Sequence, residues 1–395
     1  MPDQSSPTRS VAGRALSELH TGRRDRGRLS SSRIAAFTER LAHDLRTPLT
    51  VIQEYAALMR EGLVGDLNDE QRRVLDVIAD RACDLNRVVD NAMDATRLAE
   101  NSHRIWGRPC GLRGIIARIR PQLERKAAVL CVDLRFETVA QGPDIHCDDE
   151  AVARAISNIV VAALNLSRDG CRISISEELH PGLKEAGIRV TVGNTGVEAI
   201  ARLFRDLASV KHTKRENRAS QLCEASLAAE LIDRNLGRLA VKPLAAGATT
   251  LWIGLPIADP VEILHRHVAR FTERRAGPQS VSFVGASVCE PVDKELSRDV
   301  CSLLNSCIGR GDLAVELDRT RWLLAVVHRQ ARTEVFQRRI ERRRAAVNKK
   351  RLGRPLPQVL LRQLGTWNLP NDLTRILAMA VSRIEQCAPA DACAE

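Results

Sequence analysis

Leu41-Ala42-His43-Asp44-Leu45-Arg46-Thr47-Pro48-Leu49-Thr50 sets a histidine beside a carboxylate within an apolar periodic run, with a proline five residues after the histidine. Pro48 has no amide hydrogen to give the carbonyl of Asp44, and its ring crowds that turn. The spacing predicts a helix that kinks here and leaves His43 on a locally opened surface. Working outward, Ile34, Phe37, Leu41, Leu45, Pro48, Ile52, Ala56 and Met59 recur at three- and four-residue steps, which predicts the buried stripe of a first helix. His43 falls off that stripe. Gly62 and Gly65 close the helix; Asn68 or Asp69 caps a second one, with Gln71 in its first turn. Leu75, Ile78, Ala82, Leu85, Val89 and Ala92 then form a heptad-like seam running to about Glu100. Two antiparallel helices of about 30 residues cannot bury both apolar faces alone, and a second copy would complete a four-helix bundle.

The run His43-Asp44-Leu45-Arg46-Thr47-Pro48 resembles the H-box of bacterial sensor histidine kinases, and Gly62-Leu63-Val64-Gly65-Asp66-Leu67-Asn68 resembles that family's turn. The resemblance implies a dimerisation and phosphotransfer hairpin over residues 33–102. In that reading His43 is the phosphoacceptor and Asp44 orients or deprotonates it. Thr47, with Arg46, would support dephosphorylation of a partner. Imidazole suits the task, being nucleophilic near neutral pH and able to hold phosphorus on one nitrogen while the other manages a proton.

Residues 103–257 read as a mixed α/β layer domain. Strands are predicted at 129–136, 173–176, 188–192, 239–242 and 249–255, with helices at 150–166 and 220–235. This region resembles the family's ATP-binding domain, ending in the strand-like run Gly247-Ala248-Thr249-Thr250-Leu251-Trp252-Ile253-Gly254-Leu255-Pro256. Against the family pattern it is degenerate. Asn158 matches the first asparagine of the metal-binding pair, but the second falls on Ala162, and Asn165 lies three residues too far. Asn194 and Gly196 remain of the adenine box, whereas Glu198 replaces a glycine. Glycine is missing from the lid between Gly196 and Gly237, where Lys211, Lys214 and Arg215 carry charge and Glu224 would repel phosphate. The resemblance thus leaves Mg-ATP a weak ligand at most and implies no other cofactor and no metal.

Residues 258–278 read as a linker helix. Residues 279–395 read as strand, helix, two strands, a long basic helix at 333–350 and a final helix at 372–386. That order suggests a ferredoxin-like or cyclase-like α+β domain. Its hairpin is similar to that of GGDEF domains, but the signature turn, at Asp318 to Trp322, does not match. Between Arg338 and Arg354 stand nine basic residues against one acid, a net +8 of the chain's +11. Arg338, Arg339, Arg342, Arg343 and Arg344 are read first as a solvated face, with nucleic-acid phosphates as the alternative.

The 395 residues allow two or three domains. Apolar residues make up 44% and aromatics only 3%, so the cores must be aliphatic. No apolar run approaches the ~20 residues that span a bilayer. Residues 1–32 form a basic arm without a signal-peptide core, so a cytoplasmic protein with no membrane partner is expected. Eleven cysteines without a Cys-x-x-Cys pair argue for reduced structural thiols. The leading expectation is a homodimeric phosphorelay protein exchanging phosphate between His43 and a response-regulator receiver domain, with phosphate supplied by a receiver or a trans-acting histidine kinase. An active autokinase and a non-enzymatic scaffold are the alternatives.

Overall fold

The computed structural model describes residues 38, 40–99, 107–137, 142–168, 170–193, 197–209, 224–243, 248–273, 279–309, 311–327, 333–369 and 373–385. The chain divides into two compact units, Met1–His103 and Arg104–Glu395.

The first unit is a helical hairpin. Helix α1 covers residues 40–60 and continues through Pro48; helix α2 is Asp69–Ala99. Glycine ends the first: Gly62 sits at φ +76°, where its lack of a Cβ removes the steric penalty. The Leu63 amide donates to the Leu58 carbonyl and the Gly62 amide to that of Met59, which satisfies two end carbonyls in a Schellman motif. Asn68 then caps α2 reciprocally. Its carboxamide oxygen accepts from the Gln71 amide at 2.8 Å, and the Gln71 side chain accepts from the Asn68 amide at 2.9 Å. The helices run antiparallel, as successive cross-contacts show: Arg46 with Asp90, Gln53 with Cys83 and Asn86, Arg60 with Asp76.

The buried face of this hairpin agrees with the expected stripes at Ala56, Leu75, Ala82 and Val89 and corrects them elsewhere. Ala42, Leu49 and Ala56 are buried on α1, and Leu75, Ala82 and Val89 on α2, each at seven-residue steps. Leu41, Leu45 and Ile52, placed inside by periodicity, are exposed, as are Ile78 and Leu85. Each helix carries two apolar stripes. The inner stripe alternates Ala42, Ala56 and Ala82 with Leu49, Leu75 and Val89, and a second set of large side chains is left on the outside.

In the second unit, a small ribbon pairs β1 (Arg108–Cys110) with β3 (Ile145–Cys147). A five-stranded sheet has the order β2-β4-β5-β7-β6. Its strands are β2 (Asp133–Glu137), β4 (Arg172–His180), β5 (Glu185–Gly193), β6 (Arg238–Pro243) and β7 (Thr249–Pro256). Only the β2–β4 pair is parallel. Helices α3 (Leu112–Val129), α4 (Asp149–Leu166), α5 (Val197–Ser209) and α6 (Glu224–Arg234) accompany it. Val129, expected in a strand, ends α3 instead. Helix α4 starts where the Asp148 carboxylate accepts the Ala151 amide at 3.0 Å. Asn235 secures the same end, accepting the Asp148 amide at 2.7 Å.

A four-stranded antiparallel sheet follows, ordered β11-β8-β10-β9. The strands are β8 (Gln279–Ser287), β9 (Leu313–Asp318), β10 (Arg321–Val327) and β11 (Leu360–Leu369). One face packs on α8 (Lys294–Cys307) and α9 (Thr333–Asn348) through Val284, Ala286, Trp322, Leu324, Leu304 and Ile340. The other packs on α7 (Pro260–Glu273) and α10 (Leu373–Glu385) through Phe283, Leu323, Leu264, Val268 and Leu377. Leu236, at the end of α6, belongs to this second core. The helix expected as a linker is therefore half-buried, with Ile263, Leu264 and Val268 fully inside, and it contacts both sheets. Arg270 donates to the carbonyls of Asp233 and Gly237, and His267 contacts the Gly311 carbonyl.

Glu185 lies at the centre of that junction with a side chain only 3% exposed. Its carboxylate accepts from Arg238 at 2.7 Å and Arg266 at 2.9 Å, and Trp252 adds a contact at 3.5 Å. A charge so deeply buried is tolerable because both oxygens are occupied by cations. Cys289 is disulfide-bonded, a departure from the expectation of reduced thiols throughout.

Candidate functional site

The His43 side chain is 84% exposed on α1, while its neighbour Ala42 is buried against Val89 and Met93. One residue thus anchors the turn that presents the next. The Asp44 carboxylate lies 3.7 Å from His43 Nδ1, a charge contact longer than a hydrogen bond. The Thr47 hydroxyl, one turn on, donates to the His43 carbonyl at 3.3 Å. That carbonyl is thereby engaged just ahead of Pro48, which removes the amide partner of the next carbonyl, that of Asp44. Arg46 reaches across the hairpin and donates to Asp90 on α2 at 2.6 Å. The structure brings His43, Asp44, Arg46 and Thr47 onto one stretch of helix. Asp90 is a member that sequence reading missed, since its role depends on a pairing 44 residues away.

Residues 33–101 match the family model of the His Kinase A (phospho-acceptor) domain. This chain is a homologue of the two-component sensor histidine kinases. Histidine kinase similarity extends beyond the hairpin. The histidine protein kinase DivJ of Caulobacter vibrioides is 21% identical over 241 residues, covering 59% of this chain and 40% of DivJ. The cell-division control histidine kinase PdhS of Brucella anthropi is 22% identical over 265 residues, covering 62% of this chain and 24% of PdhS. Among solved structures, full-length ShkA in complex with AMPPNP superposes with a TM-score of 0.36 at 17% identity, covering 56% of this chain and 45% of that one. The nucleotide-free catalytic domain of histidine kinase ThkA gives 0.31 at 16%, covering 38% of this chain and 97% of that one. The chain thus spans 40% of the length of DivJ and 24% of that of PdhS.

The helical region is followed by the α/β sheet domain, where the remaining expected residues divide. Asn158 is buried in α4, Ala162 is half-buried, and Asn165 is exposed near the helix end. These do not form a paired metal-binding face: the position one turn from Asn158 carries a methyl group. Glu198 is exposed in the first turn of α5. Asn194, Gly196, Lys211, Lys214 and Arg215 lie outside the described residues.

In the terminal layer the Asp318 carboxylate is committed within its own hairpin. It accepts from the Thr320 amide and hydroxyl at 2.8 Å and from Arg321 at 2.6 Å. Burial pushes its pKa up, but these donors hold it below the usual carboxylate value. The five arginines of α9 separate into two groups. Arg344 pairs with Glu341 at 2.6 Å and donates to the Leu356 carbonyl, and Arg339 donates to the Cys307 carbonyl at 2.9 Å. Arg338, Arg342 and Arg343 face solvent.

No helix among the described residues is long and apolar enough to cross a membrane.

Proposed function

We propose that the chain is a dimeric phosphotransfer protein in which His43 exchanges a phosphoryl group with the aspartate of a response-regulator receiver domain. The observation that carries this reading is the exposure of the His43 imidazole beside Asp44, on a hairpin whose inner face is already packed. In the forward step Nε2 attacks phosphorus and the aspartyl oxygen leaves. Asp44 orients the ring and stabilises positive charge on Nδ1. Thr47 and Arg46 then serve partner dephosphorylation from the same face.

A second copy of the hairpin completes the reading. Leu45, Ile52, Ile78 and Leu85 present an outer apolar face on a two-helix unit, and a four-helix bundle would bury it. The chain's own nucleotide site is taken as impaired, on the strength of the methyl group at Ala162 and the exposed carboxylate of Glu198. Phosphate would then come from a phosphorylated receiver or a trans-acting kinase. The strand order β11-β8-β10-β9 supports a ferredoxin-like terminal domain, read here as a regulatory body.

The test is to incubate the purified protein with labelled Mg-ATP, and separately with labelled phospho-receiver proteins. Label should pass from a receiver to wild type but not to His43→Ala, and none should come from ATP. Label on His43 from ATP alone would instead establish an autokinase. That second reading is favoured by the 241 to 265 residues of similarity to DivJ and PdhS, which run beyond the hairpin.

A further inference from the structure

We propose that Cys110 and Cys147 form a reversible thiol–disulfide pair that takes a hydroperoxide as its oxidant. The two sulfur atoms lie 3.3 Å apart across the β1–β3 ribbon. Strand register pairs Cys110 with Ile145 and Arg108 with Cys147, so the cysteines are diagonal neighbours. A bond of about 2.05 Å requires the sulfurs to close by only about 1.3 Å, a motion the three-residue strand β1 can supply by tilting.

The two sulfurs have different surroundings, which assigns their order of reaction. Cys110 is half-buried, and Cys147 is fully buried. The contact with Cys147 holds the Cys110 thiol below its usual pKa. Burial and the carboxylates of Asp149 and Asp144 oppose this, while Arg108 assists it. The same contact, with burial, pushes Cys147 well above its usual value. Cys110 is the attacking thiolate and Cys147 the resolving thiol.

In the first step the Cys110 sulfur attacks a peroxide oxygen. An S–O bond forms, the O–O bond breaks, and the departing hydroxide is protonated to water, leaving Cys110 as a sulfenic acid. In the second step the Cys147 sulfur attacks that sulfur. The S–S bond forms, the S–O bond breaks, and hydroxide leaves with the Cys147 proton as water. Two thiols and one hydrogen peroxide thus give one disulfide and two waters. The bond would fasten β1, the first strand of the α/β unit, to β3, which is bridged through Ile145 to Ile257 at the end of the main sheet.

The full chain, reduced and freed of reductant, is treated with hydrogen peroxide, alkylated, digested and mapped by mass spectrometry. The expected product is a peptide joining Cys110 to Cys147, lost on adding dithiothreitol. In Cys147→Ser, Cys110 should be trapped by dimedone as the sulfenic acid. In Cys110→Ser, Cys147 should remain alkylatable once the protein is unfolded. Both thiols recovered free at a large excess of peroxide, or Cys110 linked to a different cysteine, overturns the proposal. The wild-type peptide map decides the matter even where a variant fails to fold.

Discussion

Arg46 of α1 and Asp90 of α2 meet at 2.6 Å, tying the turn that presents His43 to the opposite helix of the hairpin. The pair is substantially exposed, at 50% and 33%, so its contribution to stability is discounted to about 0.2–1 kcal/mol. Asp90→Ala and Arg46→Ala should each lower the urea midpoint slightly, and the double variant should cost less than the sum. Fully additive effects would mean the ion pair is not populated. Under the phosphotransfer reading, Asp90→Ala also releases the guanidinium three residues from the acceptor histidine. The lifetime of phosphohistidine should then change, while the overall fold measured by circular dichroism does not.

The loop between the helices should be sensitive for reasons unrelated to packing. Gly62→Ala places a Cβ at φ +76° and should cost about 1 kcal/mol. Asn68→Ala removes the reciprocal cap and should cost a similar amount, about 1 kcal/mol. Thermal melts of the two variants would check both values.

The outer stripe predicts association. Ile52→Glu combined with Leu85→Glu puts charge on the exposed apolar face without touching the buried Ala42, Leu49 and Ala56. Sedimentation should show a dimer for wild type and a monomer for the variant. An unchanged sedimentation coefficient would remove the bundle from the proposal.

His146 supplies a pH signature. Burial lowers its pKa from 6.5 to about 4, so the folded state keeps the ring neutral while the unfolded chain protonates it. Stability from this group is complete above pH 6.5, falls as pH drops through the window, and levels off below about 4. The loss across that range is on the order of 3 kcal/mol. His146→Phe should flatten that part of the curve. Gly107 lies against the ring, and a Cβ there would meet Nε2 at 2.3 Å. Gly107→Ala should accordingly destabilise by about 1–3 kcal/mol.

Glu185→Gln tests the junction of the two sheets. Arg238 and Arg266 would lose their shared carboxylate, and Arg266 is only 16% exposed. A loss of about 3 kcal/mol is expected in urea unfolding.

The hairpin was legible because its signals are local. Asn68 with Gln71 and the glycines at 62 and 65 each act within a few residues, and the structure uses them as expected. The inner stripe was legible only in part: Ala56, Leu75, Ala82 and Val89 lie inside as expected, whereas Leu41, Leu45, Ile52, Ile78 and Leu85 share the apolar period and lie outside. Strands β1 and β3 were too short to show a period. Helix α3 escaped notice behind Pro121 and a glycine start without a side-chain cap. Helix α5 did carry a readable signal, Ile200, Phe204 and Leu207 at four- and three-residue steps, all buried. Strand β11 was hidden by the irregularity at Gly365. The Glu185 cluster joins residues more than 50 positions apart, which no windowed reading can assemble.

Helix α7 is a party wall: its apolar side chains line the terminal core together with Leu236, while its arginines hold the ends of β5 and α6. A protein cut before Pro260 would lose the roof over one sheet and the counter-charge at the edge of the other. The two layers should therefore unfold in one transition, and a cut between them should bare apolar surface on one piece and leave Glu185 short of a cation on the other.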